Sequence, residues 1–250
     1  MKARIQTVGR SMAATGAIML GLAAGLSASP AQAAQQEAET SGFTYELPAL
    51  PETVPLLARH LESRRAQARA AYDAGRAQLA EMMPEGSAMV AGYQHSQQWT
   101  IAGQTDALIG LGSETYSYTG GAHGNSFFNA LVWDVASDRL IGVLGLFTNR
   151  YLGLSMIDQP FCEGLREQQI ERMGDISSDD FWADCPPFDQ VAIAPMGSDT
   201  GLFTSFRVRV PPYIAGPYAA GSFDVDVAVT TEMLGALKPE YRSSFALAAN

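Results

Sequence analysis

The chain has 250 residues, of which 47% are hydrophobic, and its 26 acidic residues outnumber its 16 basic residues to give a formal net charge of −10. This length is enough for one large domain or for two small ones that share a core. An acidic balance of this size argues against nucleic acid and anionic lipid as partners, and it would favour a cationic partner.

The first 33 residues have the features of a secretory signal peptide. Three cations and no acid lie near the start, an uncharged and largely apolar stretch follows over 13–26, and small residues suit cleavage after Ala33. We therefore expect a mature net charge of −13 and a disordered N-terminus at 34–40. The mature protein is expected to be periplasmic or secreted, without a membrane anchor after cleavage, because the apolar stretch is too short to span comfortably and no second one follows.

The next part of the chain predicts a helix followed by strands. Alternating apolar residues over 43–47 indicate a short strand. A long helix is predicted over 51–83, with prolines only at its first turn and a candidate bend at Gly75. Four antiparallel strands after a helix suggest an α+β layer in which the helix covers one face. These strands are predicted at 88–101, 107–119, 126–135 and 139–143.

The second part predicts another helix and a second antiparallel pair. Asn149 suits the N-cap of a helix that runs through Met173, with Gly174 behind it. Pro160 interrupts this segment, so two helical pieces are an alternative. The remaining predicted elements are strands at 188–194, 201–210 and 222–229 and a short helix at 231–237.

Cys162 and Cys185 are the only two cysteines. In an exported protein a lone pair is most simply a disulfide, which would stabilise the fold by roughly 3 kcal/mol for a loop of this span. Two cysteines without a nearby histidine make a poor zinc site, and no Cys-x-x-Cys redox pair occurs. We therefore predict a structural disulfide.

The chain shows none of the local motifs that carry catalysis or hold a cofactor. It has no Gly-x-Ser-x-Gly nucleophile elbow, no His-Glu-x-x-His pair and no phosphate-binding glycine loop. Its acidic segment at 175–189 lacks the Asp-x-Asp-x-Asp-Gly spacing of a calcium loop. We expect neither a metal nor a cofactor.

The stretch Ser-Tyr-Thr-Gly-Gly-Ala-His-Gly-Asn at 117–125 carries one of the three histidines. Gly120 and Gly121 can take positive φ, which lets the chain turn sharply after a strand. His123 then has three interpretations: it locks the turn by donating a hydrogen bond, it contacts a partner, or it acts as a general base. The lock is favoured because no nucleophile or second histidine accompanies it.

Two segments resemble motifs of a paired bacterial extracytoplasmic domain of unknown function. Residues 117–125 are similar to its Tyr-x-Gly-Gly-Ala-His motif, and residues 212–221 are similar to the segment that precedes its final strand. Residues 144–147 resemble its Leu-x-Asp-Leu-Phe motif, with glycine in place of the acid. This domain occurs in a lysozyme-sensing anti-sigma-V factor and in the N-terminal region of a peptidoglycan N-acetylmuramic acid deacetylase.

The resemblance implies two small α+β halves, each a helix packed on antiparallel strands, and a role in binding cell-wall-associated partners. On this interpretation the N-terminal half covers 41–125 and the C-terminal half covers 126–237. Residues 238–250 would then form a C-terminal tail.

These observations favour an exported, non-catalytic binding module for an envelope protein or a cell-wall glycan, with a cationic lysozyme-like protein as one candidate. One alternative is an envelope hydrolase in which His123 is a general base paired with Asp134 or Asp106. A second alternative is a purely structural envelope protein. The candidate binding residues are Tyr118, Gly120, Gly121 and His123 at the turn, with Tyr213 and Tyr218 as contact aromatics.

Overall fold

The computed structural model describes residues 42–177 and 179–248. The expected signal peptide at 1–33 and the expected disordered segment at 34–40 lie outside the described residues. The fold is α+β, as predicted, with two sheets and a long helix on each. The helices are α1 (Pro55–Met82), α2 (Ala88–Ala91), α3 (Arg150–Met173) and α4 (Thr231–Ala236). The strands are β1 (Phe43–Glu46), β2 (Gln94–Gln104), β3 (Leu108–Tyr118), β4 (Asn125–Asp134), β5 (Arg139–Ile141), β6 (Ala192–Gly197), β7 (Phe203–Val210) and β8 (Phe223–Ala228).

The strands of each sheet follow one another in chain order. The first sheet has the order β1-β2-β3-β4-β5 and the second has the order β6-β7-β8. All neighbouring strands are antiparallel except β1, which runs parallel to β2. The first sheet continues past residue 125, where the sequence placed the boundary between the halves, because β3 and β4 form one hairpin with Ser117 opposite Asn125.

Helix α1 covers one face of the first sheet. It begins at Pro55, later than the predicted start at 51, and a proline at this first position has no N–H to leave unsatisfied. The helix continues through Gly75, where the missing side chain makes room for the hydroxyl of Tyr93. Its buried residues Leu57, Leu61 and Tyr72 belong to a core that also contains Trp99, Ile109, Leu111 and Trp133 of the sheet.

Helix α3 covers one face of the second sheet. The side chain of Asn149 accepts hydrogen bonds from the backbone N–H groups of Tyr151 and Leu152, and Gly174 ends the helix with a φ of 83°. The helix is one piece, so the alternative of two pieces is wrong. Pro160 lies on its exposed side, where water can satisfy the carbonyl that lacks a helical partner. Ile157, Phe161 and Leu165 share a core with Phe206, Val208 and Val225 of the sheet.

The two sheets approach each other closely at a pair of glycines. A Cβ added to Gly103 of β2 would lie 2.6 Å from the backbone nitrogen of Gly197 in β6. No side chain fits at such a distance, so the two backbones can meet here only because both residues are glycine. This contact fixes the position of β6 against the first sheet.

The predicted disulfide between Cys162 and Cys185 is present and ties α3 to the segment that precedes β6. Asp158 lies beside the two sulfur atoms. Because both sulfurs are bonded to each other, this group of three residues is not a metal site.

Part of the expected C-terminal tail packs into the core of the second sheet. Pro239–Ser244 form a 3-10 turn, and Tyr241 and Phe245 are buried. The ring of Phe245 lies 5.2 Å from that of Phe203 and 5.7 Å from that of Phe206. In the part of the chain that the structure describes, none of the helices has the length and apolar character needed to cross a bilayer.

Candidate functional site

The glycine-rich motif forms the tip of the hairpin between β3 and β4. Gly120 and Gly121 both have a φ of 102°, a left-handed conformation that strains any residue with a side chain. The hydroxyl of Tyr118 donates a hydrogen bond to the Gly121 carbonyl at 2.9 Å and so holds the turn from one side. The methyl end of Met89 packs where a Gly120 side chain would be.

His123 projects from this tip and uses both of its ring nitrogens. Nδ1 lies 2.9 Å from the carbonyl oxygen of Gly124. A carbonyl can only accept, so Nδ1 carries the proton and, in the neutral ring, Nε2 accepts a hydrogen bond from the Tyr213 hydroxyl at 3.1 Å. The imidazole also stacks on Tyr218, with ring centroids 3.8 Å apart and planes 18° apart.

The two tyrosines come from the connection between β7 and β8, which is the second segment singled out in the sequence. Tyr213 has a φ of 72°, so a bulky residue occupies the left-handed region. Helix α3 holds this connection in place, because the buried amide of Gln169 donates to the Ala215 carbonyl at 2.8 Å and Arg172 donates to the Ala220 carbonyl at 3.0 Å.

Three of the candidate residues thus form one surface group, which we call the aromatic cluster: His123, Tyr213 and Tyr218. The rings of Tyr213 and Tyr218 lie 5.5 Å apart and remain 48% and 37% exposed. The cluster joins a hairpin of the first sheet to a connection of the second, across 90 residues of sequence. Gly120, Gly121 and Tyr118 shape the turn beneath it.

Two residues that matter at this site were absent from the sequence-based candidates. Gly124 is buried, and a side chain there would collide with the ring of Tyr116 and the Ser117 carbonyl. Its position inside the glycine-rich motif at 117–125 was the sequence signal that could have identified Gly124 as a site residue. Gln169 is a buried amide on α3, and the available signal was its position four residues after Leu165 in the buried row that contains Ile157 and Phe161.

The proposed pairing of His123 with Asp134 or Asp106 is wrong. Strand β4 runs from Asn125 to Asp134, and at about 3.3 Å per residue its ends lie roughly 30 Å apart. Asp134 is paired in register with Leu108, close in sequence to Asp106, so both acids lie at the end of the sheet opposite the hairpin tip. In a catalytic His–Asp pair, the protonated ring nitrogen donates to the carboxylate. In His123 that nitrogen, Nδ1, donates to the Gly124 carbonyl instead.

The carboxylate of Asp134 accepts hydrogen bonds from neighbouring residues of the fold. Burial alone would raise its pKa, but hydrogen bonds from Ser137, Tyr241 and two backbone N–H groups outweigh burial and hold that pKa below its ordinary value. Burial, together with the same pairing, raises the pKa of Tyr241 to about 12.

The other two histidines are held by their own neighbours. His60 accepts a hydrogen bond from Arg64 at 2.9 Å, and its pKa is lowered by burial and by that nearby guanidinium. His95 is half-buried, stacks on Phe43 at 5.4 Å and contacts the Ser117 hydroxyl through Nδ1 at 3.1 Å. Burial lowers the pKa of His95.

No protein-family profile and no curated protein matches the chain. Solved structures that are similar to it include two proteins of one family. One is a DUF3298 family protein from Pseudomonas aeruginosa PAO1, with 16% identity and a TM-score of 0.44 over 60% of this chain and 64% of that one. The other is a member of the DUF3298 family from Bacteroides fragilis NCTC 9343, with 17% identity and a TM-score of 0.40 over 87% of this chain and 73% of that one. The chain thus spans less than two thirds of the length of the Pseudomonas protein.

Proposed function

We propose that the protein is an exported, non-catalytic binding module for an envelope protein or a cell-wall glycan, and that the aromatic cluster is its contact surface. The observation that carries this proposal is the conformation of Tyr213, a bulky residue that has a φ of 72° and is nonetheless 48% exposed.

The conformation of Tyr213 costs about 1 kcal/mol or more relative to an ordinary backbone. The half of the residue that is removed from water offsets this cost, because about 100 Å² at ~25 cal/mol per Å² corresponds to roughly 2 kcal/mol. Strain of this kind concentrates at ligand contacts. A residue held in a costly conformation to present its ring to solvent fits a contact role better than a structural one.

The chemistry of the cluster suits recognition. Tyrosine rings combine a large apolar face with a hydroxyl, so they are enriched at protein interfaces. The expected mature charge of −13 would attract a cationic, lysozyme-like protein to the molecule as a whole, with an association rate that falls as salt rises. Tyr213 and Tyr218, which are both partly exposed, equally suit contact with the ring of a wall sugar.

A catalytic role for His123 has weak support. A general base needs a free nitrogen within reach of a water or nucleophile. Here Nδ1 donates to a backbone carbonyl and Nε2 accepts from Tyr213, so neither nitrogen is available unless the cluster opens. Binding is therefore the function that the geometry favours.

The test is retention of lysozyme or of soluble peptidoglycan fragments by the immobilised protein at low salt. We expect Tyr218→Ala to weaken retention roughly tenfold, as for an interface aromatic. Tyr151→Ala is the matched control, because Tyr151 is 83% exposed and lies on another element. Circular dichroism would verify that both variants fold.

Two results would count against the proposal in different ways. If the wild type retains neither lysozyme nor peptidoglycan fragments, the ligand class is wrong. If it retains one of them and Tyr218→Ala retains it equally well, the contact surface lies elsewhere and the aromatic cluster only joins the two sheets.

A further inference from the structure

A groove with a volume of about 840 Å³ runs between the edge of β4 and the edge of β6. Strand β5 and the 3-10 turn at Val143–Leu146 form part of its wall. None of the aromatic cluster residues lines this groove. Its backbone and its charges both indicate what it would bind, independently of the function proposed above.

The first indication is a stretch of strand edge without a partner. Strand β5 pairs only with Val132–Asp134 of β4, so residues 125–131 have β3 on one side and no paired strand on the other. Over 42–177 and 179–248, no backbone-to-backbone hydrogen bond joins this stretch to any element except β3. Alternate residues of an antiparallel strand direct both N–H and C=O away from the neighbour. Residues 127–130 of this stretch line the groove and therefore offer free donors and acceptors to it.

The second indication is charge. Arg139, Arg150 and Lys238 line the groove, and Asp189 is the only acid among its described lining residues. None of the three cations takes part in an ion pair within the described part of the chain. In a protein with a net charge of −10, this is a locally positive channel. Such a channel attracts anionic groups and holds carboxylates by charge-assisted hydrogen bonds.

We propose that this groove binds an extended acidic peptide segment, which adds as a strand to the free edge of β4. Backbone hydrogen bonds to residues 125–131 would supply affinity, and the three cations would select carboxylate side chains. An acidic polymer without backbone amides would use only the cations, so the free strand edge favours a peptide over other anions. The exposed ring of Phe127 at the same edge offers an apolar contact to alternate side chains of the peptide.

The probe is a labelled peptide of about seven residues with alternating valine and glutamate, blocked at both ends, which matches the length of the free stretch. Its binding to the whole protein is measured by fluorescence anisotropy at low ionic strength. We expect the double variant Arg150→Gln and Lys238→Gln to bind roughly tenfold more weakly. The matched control is Arg59→Gln with Arg76→Gln, which removes the same charge from exposed positions of α1.

Two modified peptides separate the two sources of affinity. Replacement of glutamate by glutamine removes the charges, and methylation of alternate backbone nitrogens removes the donors of one strand edge. Each change is expected to weaken binding about tenfold. Absence of binding by the unmodified probe, equal losses in the groove and α1 variants, or undiminished binding of the methylated peptide would overturn the proposal. Sedimentation of the protein alone adds one more outcome: if the wild type is a dimer that the groove variant dissociates, a second copy occupies the groove and the proposal is wrong.

Discussion

Replacement of Tyr241 by phenylalanine removes a single hydroxyl from the junction between the C-terminal segment and the first sheet. That hydroxyl donates to Oδ2 of Asp134 at 2.8 Å, and both residues are buried, with exposures of 4% and 6%. A hydrogen bond to a charged group contributes about 1.5–3 kcal/mol, and the ring itself is retained. We expect Tyr241→Phe to lower the free energy of unfolding by about 2 kcal/mol, which corresponds to roughly 4–8 °C in Tm.

The pH dependence of this loss follows from two pKa shifts. The pKa of Asp134 is lowered in the folded protein, so its stabilising effect is complete above its unfolded pKa of about 4 and disappears as the pH falls through the lower folded pKa. The pKa of Tyr241 is raised from 10.0 to about 12, so its effect is complete below 10.0 and disappears as the pH rises towards 12. The wild type should therefore exceed the variant in stability by a constant amount between about pH 4 and pH 10, with the difference declining on both sides.

Urea denaturation of both proteins across this pH range, followed by tryptophan fluorescence, measures the difference directly. Tyr151→Phe is the control, because Tyr151 is 83% exposed and its loss of a hydroxyl should change nothing. A difference below about 0.5 kcal/mol at pH 7, or one that stays constant from pH 2 to pH 11, would show that the Asp134 pairing does not operate as argued.

Three further predictions concern stability. Reduction of the disulfide should lower the free energy of unfolding by roughly 3 kcal/mol, and an unchanged urea midpoint in reductant would contradict this. Gly103→Ala should lower the free energy of unfolding by about 1–3 kcal/mol, because the added Cβ forces β2 away from Gly197. Gly145→Ala should leave it unchanged, because the nearest atom to the added Cβ would be 3.7 Å away. Equal shifts in Tm for the two variants would refute the close approach of the backbones. Burial lowers the pKa of His95, so the folded protein loses stability as the pH falls from the unfolded value near 6.5 through the folded pKa; an NMR titration that places the folded pKa at or above 6.5 would exclude this.

Much of the fold could be read from local signals in the sequence. Asn149 and Gly174 mark the ends of α3 because capping depends on a few consecutive residues. The short strand at 43–47 and the turn at Gly120 and Gly121 likewise follow from alternation and from glycine's access to positive φ. The disulfide was predicted from the expected compartment and the number of cysteines, and it is present.

The candidate site could be predicted only in part, because its geometry depends on contacts between distant segments. Residues 117–125 and 212–221 were both singled out, but nothing local indicated that His123 of one would bond to Tyr213 of the other. The positive φ of Tyr213 contradicts its intrinsic preference and is imposed by the surrounding structure. Asp134 was considered as a catalytic partner because sequence gives residue type without position along the sheet.

The geometry of His123 also shows why locking the turn and presenting a contact surface are compatible. The imidazole is held at Nδ1 by the Gly124 carbonyl and at Nε2 by the Tyr213 hydroxyl. The second bond joins the hairpin of the first sheet to the connection between β7 and β8, while Tyr213 and Tyr218 remain partly exposed. Under the proposed function, His123 would lock the turn and the tyrosines that it contacts would be the residues that a partner meets.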